Sequence, residues 1–175
     1  ENMGLLQKFV ILGVANVWER RKGLSYFIEL SERLSKEYQI VLIGLSKKQL
    51  RGLRGNITGL SRTSSAEELA EYYSMADVFV NATLEDNFPT TNLEALACGT
   101  PVITFATGGS PESLNEDCGR VVPKGDKEAL LQAVLQEQRE PKSTEACLKR
   151  AEQYEKYDRF REYVELYHQL AGRGE

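Results

Sequence analysis

Short apolar runs rich in β-branched residues, separated by stretches of helical periodicity, restrict this chain to very few folds. The first run, Phe9 to Ala15, is continuously apolar, as expected of a strand buried on both faces. Gln39 to Gly44 repeats the signal, Asn56 to Leu60 gives a weaker version, and Asp77 to Val80, Pro101 to Phe105 and Gly119 to Val122 complete the series. Between them lie apolar residues at helical spacing. Leu24, Phe27, Ile28 and Leu34 predict a helix running to Lys36. Ser46 caps a short basic helix carrying Leu50 and Leu53. Ser65-Ala66-Glu67-Glu68 reads as a capping box ahead of the stripe Leu69, Tyr72, Tyr73 and Ala76. Leu93, Leu96 and Ala97 form a short helix stopped by Gly99. Ser110-Pro111-Glu112 starts another, with proline at the first helical position. Asp126 caps the helix of Leu130, Leu131, Val134 and Leu135.

Strand and helix thus alternate about six times. The fold class this implies is α/β: a Rossmann-like open parallel sheet of about six strands with helices on both faces, plus C-terminal helices. The expected division is a lobe over residues 1–140 and C-terminal helices over 141–175. The last helix carries Phe160, Tyr163, Val164, Tyr167 and Leu170 on one side, so it is expected to pack on the lobe or on something beyond it. Ligands in such sheets sit beyond the carboxyl ends of the strands, here the loops leaving Ala15, Gly44, Leu60, Asn81 and Phe105.

Composition closes off several functions. A chain of 175 residues can bury roughly 70% of its unfolded surface and needs no staples. Cys98, Cys118 and Cys147 are too few and too scattered for a disulfide framework, which points to a reducing compartment. With His168 the one histidine, neither a zinc site nor a histidine triad is expected, and His168 itself reads as a surface residue. Cys98 reads as filler at a helix end. No apolar run is long enough to span a membrane, and no opening segment reads as a signal peptide. The motifs G-x-G-x-x-G, G-x-x-x-x-G-K-[ST] and G-x-S-x-G are absent. The net charge of −4 argues against nucleic acid as a partner. It conceals an asymmetry, however: residues 1–62 hold 11 basic and 5 acidic side chains, whereas residues 63–175 hold 11 basic and 21 acidic.

Part of the basic excess lies in the loop after the first strand, Asn16 to Gly23, where Arg20, Arg21 and Lys22 stand at the start of a helix. Cations there oppose the helix dipole; they are either a solvated basic face or, since a bound phosphate relieves that opposition, an anion site. Trp18 in the same loop is read equally well as a stacking surface or as a packed side chain. The second stretch runs from Leu84 to Ile103. Asp86 and Glu94 are separated by seven residues, the first in a loop and the second about one turn into the next helix, where a carboxylate can hold a ribose diol or simply complement the helix dipole. The amides of Thr90 and Thr91 open that helix and suit a phosphate.

Taken together, these residues resemble the C-terminal, donor-binding lobe of the family-4 retaining glycosyltransferases of the two-lobed type B fold. The family hallmark is an acidic residue, seven others, a glutamate, and then a run like Glu94-Ala95-Leu96-Ala97-Cys98-Gly99-Thr100-Pro101-Val102-Ile103. Lys22-Gly23, the segment Glu68 to Val80, and Gly108-Gly109-Ser110-Pro111-Glu112 followed by Gly119 to Asp126 agree with it. The likeness covers about residues 9–137, with a closing helix at 158–171.

The resemblance implies transfer of a sugar from a nucleotide-diphosphate donor, without an obligatory metal or cofactor, in polysaccharide or glycoconjugate synthesis. It implies catalytic roles for Lys22, Asp86 and Glu94. Arg20, Arg21 and Lys22 would face the diphosphate, and Glu94 the ribose. Asn87, Phe88, Pro89, Thr90 and Thr91 would line the sugar and β-phosphate, while Leu60 and Arg62 would border the base. The acceptor lobe would precede Glu1. The implied location is cytoplasmic, with room for peripheral association of the full protein at the inner face of a membrane. Three positions depart from the pattern: Asn16 stands where the family has arginine, Asp86 where it has glutamate, and Pro89 where it has a second glycine. Two rival readings fit less well. A nucleotide-sugar epimerase of like architecture lacks the carboxylate-x7-glutamate loop, and a receiver-like binding module needs an acidic pocket at the first strand. A third, a degenerate lobe serving as a partner subunit, rests on Asn16 and Asp86.

Overall fold

The computed structural model describes residues 8–171, so the outer ends of both expected domains, 1–7 and 172–175, lie outside the described residues. The strands are β1 (Phe9–Val14), β2 (Tyr38–Ile43), β3 (Ile57–Leu60), β4 (Val78–Asn81), β5 (Val102–Phe105) and β6 (Gly119–Val122). The helices are α1 (Leu24–Arg33), α2 (Lys47–Gly52), α3 (Ala66–Met75), α4 (Thr90–Ala97), α5 (Lys127–Arg139), α6 (Thr144–Glu152) and α7 (Lys156–Ala171). The six strands are all parallel, in the order β3-β2-β1-β4-β5-β6. The chain therefore winds outward in one direction from β1 and returns to its other side at β4. That reversal opens a crevice between the carboxyl ends of β1 and β4.

Alternate residues of each strand feed two separate cores, as the pleat requires. Ile11, Ile40, Leu42, Val80, Ile103 and Phe105 join Phe27 and Leu30 of α1 and Leu130 and Val134 of α5 on one face. On the other, Val10, Leu12, Val41, Phe79 and Val102 meet Tyr73 of α3, Ala95 and Leu96 of α4, and Cys147 of α6. Because both faces are covered, the central strands read as unbroken apolar runs.

Local signals hold with four adjustments. α1 stops at Arg33 because Leu34 turns extended, its amide still bonded to the Leu30 carbonyl. Ser46 makes a complete capping box with Gln49, but at α3 the box is split. Ser65 accepts the Glu68 amide, while the Glu68 carboxylate accepts the Ser64 amide instead of that of Ser65. Pro111 begins only a three-residue 3-10 turn, since Leu114 turns extended and buries itself. In α4 the inward residues are Asn92, Ala95 and Leu96, with Ala97 exposed. All three cysteines are free thiols, Cys98 half-buried and the other two buried.

The C-terminal helices behave differently from each other. α6 is anchored: Cys147 is fully buried, and Arg150 donates to the carbonyls of Glu112 and Ser113. α7 buries none of its residues, so its aromatic side is not covered by the described lobe. No helix among the described residues is long and apolar enough to cross a membrane.

Candidate functional site

Two loops meet at the crevice. The first, leaving β1, is held from below. Trp18 is buried, donates its indole N–H to the Ile43 carbonyl at 2.9 Å, and stands edge-on to Phe27. Gln49 donates its side-chain amide to the Trp18 carbonyl. Trp18 is therefore an anchor of the loop, and its ring is not available to stack on a ligand. Arg20 to Lys22 then form a single 3-10 turn, and α1 begins only after Gly23. The three cations thus precede the helix instead of occupying its first turn.

Gly23 decides how near the loops come. It is left-handed, with φ 77°, and a Cβ there would sit 2.1 Å from the Ala82 carbonyl oxygen at the start of the second loop. That approach lets Leu84 donate its amide to the Arg21 carbonyl at 2.7 Å. Lys22 then reaches across, and its Nζ lies 2.7 Å from Asp86 Oδ2. In the sequence Lys22 falls in the basic first third and Asp86 in the acidic remainder; in the structure they are one ion pair. Both side chains remain partly accessible, at 24% and 18%. The Arg21 Nε donates to Glu19 and its guanidinium lies 3.4 Å from the Glu85 carbonyl. Arg20 and Asn16 are exposed.

The second loop, Ala82 to Pro89, is braced from the segment after β5. Thr107 donates its hydroxyl to the Leu84 carbonyl, and the Gly109 amide donates to the Asn87 carbonyl at 2.8 Å. Gly108 has φ 48°, and a Cβ on it would fall 1.8 Å from the Asp86 carbonyl oxygen. Phe88 is half-buried, its ring centroid 5.6 Å from that of Tyr154 in the turn after α6, and Pro89 is buried.

α4 follows directly. Pro89 occupies its N-cap position and contributes no capping side chain, so the exposed Thr90 and half-buried Thr91 open the helix with amides that no preceding turn can satisfy. Glu94 lies one turn on, exposed, and its Oε2 accepts the Tyr73 hydroxyl at 3.0 Å. Tyr73 is buried; burial first, then the adjacent Glu94 charge, pushes its phenol well above the ordinary tyrosine range, so it stays a donor. Burial likewise raises the Cys98 thiol, one turn beyond Glu94. Leu60 ends β3, where its carbonyl accepts the amides of Gly44 and Leu45. Arg62 is exposed on the loop that follows, and His168 is exposed on α7.

Sequence reasoning passed over one further device. Asn92, fully buried in the first turn of α4, accepts from the Asn81 amide at 2.8 Å and donates to Ser113 at 2.9 Å; Ser113 donates to the Ser110 carbonyl. This chain ties the end of β4, the start of α4 and the turn after β5 into one rigid floor. Its signal was present in the sequence: an asparagine ending an apolar strand and another at an inward position of the next helix.

Comparison with known proteins places this geometry. Residues 8–137 match the family described as Glycosyl transferases group 1. The chain is 30% identical over 148 residues to the amylovoran biosynthesis glycosyltransferase AmsK of Erwinia amylovora, covering 75% of this chain and 36% of that protein. It is 29% identical over 131 residues to the MMP alpha-(1->4)-mannosyltransferase of Mycolicibacterium hassiacum, covering 69% and 32%. The chain thus spans about a third of the length of these curated relatives. Among solved structures, sucrose-phosphate synthase from Thermosynechococcus elongatus matches with TM-score 0.82 and 25% identity, over 99% of this chain and 48% of that one. Anabaena HepE in complex with UDP-glucose matches with TM-score 0.75 and 18% identity, over 87% and 46%. Family match and fold agree: the chain belongs to the glycosyl transferases group 1 family.

Proposed function

We propose that this chain is the C-terminal, nucleotide-sugar-binding lobe of a family-4 retaining glycosyltransferase of the type B architecture, acting in polysaccharide or glycoconjugate synthesis. The observation that carries the reading is the meeting of Lys22, the Asp86 loop and the uncapped start of α4 at the β1–β4 crevice. A diphosphate needs cations and unpaired amides on one side, and this crevice offers both.

In this reading Lys22 and the Thr90 and Thr91 amides hold the diphosphate and stabilise the charge that gathers on it as the glycosidic bond breaks. Because the braced loops already fix these groups, little reorganisation accompanies reaction. Asp86 balances Lys22 and, once a donor binds, turns toward the sugar beside Asn87 and Phe88. Glu94 holds the ribose, with Leu60 and Arg62 bordering the base and Arg20 or Arg21 supplying the cation missing at Asn16. The nucleotide sugar is a substrate, and the reading invokes no cofactor. A second, acceptor-binding lobe of the full protein completes the active site, and the aromatic side of α7 packs toward it. The proposed location is cytoplasmic, with peripheral membrane association through the full protein.

Calorimetry of the 175-residue chain with UDP, GDP and ADP tests the site. Binding of at least one, weakened by Glu94→Ala, is expected; a folded sample that binds none removes the proposal. Asn16 and Asp86 favour one alternative, a lobe that binds donor without turning it over. Assaying donor consumption in the full protein separates the two.

A further inference from the structure

Tyr73 lies outside the crevice, on α3, yet its hydroxyl is 3.0 Å from Glu94 Oε2. Every other part of this tyrosine is fixed. Its ring is buried, edge-on to Phe79 with centroids 5.4 Å apart, and its carbonyl accepts the Thr100 hydroxyl at 2.6 Å. Thr100 follows the turn that ends α4, so the backbone of Tyr73 is fixed to the C-terminal end of the segment carrying Glu94. Phenylalanine would fill the same space without a buried polar atom needing a partner. The hydroxyl therefore has its role at the carboxylate.

Glu94 is exposed on a short helix and, unaided, would sample several rotamers. Freezing such a side chain at the moment of binding weakens affinity by a factor of roughly two to ten. One oxygen tied to a rigid phenol leaves the second oxygen in a set direction. We infer that Tyr73 is a positioning residue, whose hydroxyl holds Glu94 so that its free carboxylate oxygen meets the ribose hydroxyls of a nucleoside diphosphate. This inference rests on the proposed ribose role of Glu94.

The test compares UDP, GDP and ADP with their 2′-deoxy counterparts on the 175-residue chain by calorimetry. The unaltered chain should favour the ribose form by about tenfold, the scale of a hydrogen bond to a charged group. Tyr73→Phe should cut that preference to about twofold while leaving affinity for the deoxy form unchanged. Glu94→Ala should abolish the preference, and the double variant should match Glu94→Ala, since the two residues act as a unit. A Tyr73→Phe chain that keeps the full preference, or that weakens both forms equally, overturns the positioning role alone. An unaltered chain with no preference, or a Glu94→Ala chain that retains it, removes the ribose role of Glu94 and this inference with it. Thermal melts of each variant confirm that the folded state is being compared.

Discussion

Two ion pairs in this molecule use the same chemistry for different ends. Arg120 and Glu137 join β6 to α5 at 2.8 Å, with the glutamate side chain 1% exposed. The other Glu137 oxygen accepts the Lys142 amide at 2.7 Å, and Arg120 also donates to the Glu140 carbonyl at 2.9 Å. That pair is sealed, and both carboxylate oxygens are committed. Lys22 and Asp86 are equally close at 2.7 Å but sit half-open at the mouth of a crevice, between two loops instead of inside a layer. A sealed pair fastens elements together; in the proposed site the open pair keeps a cation in place for an incoming anion. The difference lies in solvent access and in the number of further bonds to each carboxylate, not in residue type.

The largest effect expected from breaking that comparison is structural. Glu137→Ala leaves Arg120 without its counter-charge in a mostly buried position and should cost about 3–5 kcal/mol of stability, read by urea unfolding. A loss below about 1 kcal/mol would mean the pair is no more than a surface ornament. Next comes Gly108→Ala, which forces a Cβ against the Asp86 carbonyl at a left-handed φ. It should cost about 2–3 kcal/mol and displace the Asp86 loop, so that folded protein also binds nucleoside diphosphate more weakly. Lys22→Met should show the opposite balance. Stability should change by less than about 1 kcal/mol, while diphosphate affinity falls by about tenfold in calorimetry. An equal loss of stability and affinity would erase the distinction between the two pairs. The smallest effect is Trp18→Phe, which removes one buried hydrogen bond to Ile43 and part of the contact with Phe27. It should lower stability by about 1 kcal/mol and leave affinity unchanged; a clear loss of affinity would return Trp18 to the ligand.

Much of the fold was legible because its signals are local. The β-branched runs at Phe9, Ile40, Val78 and Val102 each announce a strand buried on both faces, and Ser46, Ser65 and Asp126 each cap the helix expected of them. Lys22, Asp86, Thr90 and Glu94 stood out as candidates through charge, a helix start and the family resemblance, and the proposed site is built on them. Residues whose meaning depends on a distant partner were not legible. Asn92 gains its role from Asn81 and Ser113, Glu137 from Arg120, and Tyr73, expected only in a buried stripe, from Glu94. Trp18 was ambiguous because a loop tryptophan is ligand or anchor according to what lies beneath it, here Ile43 and Phe27. α7 misleads in the same way. Its apolar side calls for a partner, but periodicity cannot say where the partner is, and the described lobe does not supply it.

By itself, then, the sequence determined the parallel α/β architecture, and it named the loops and residue types from which the proposed site is built. Hydrophobic periodicity and capping act over a few residues and are written where they act. Tertiary structure alone decided that Lys22 and Asp86 form a pair, that a glycine at position 23 lets their loops touch, and that a buried phenol holds Glu94. Those are contacts between residues 21 to 64 positions apart, and only the closed sheet brings them within hydrogen-bonding distance.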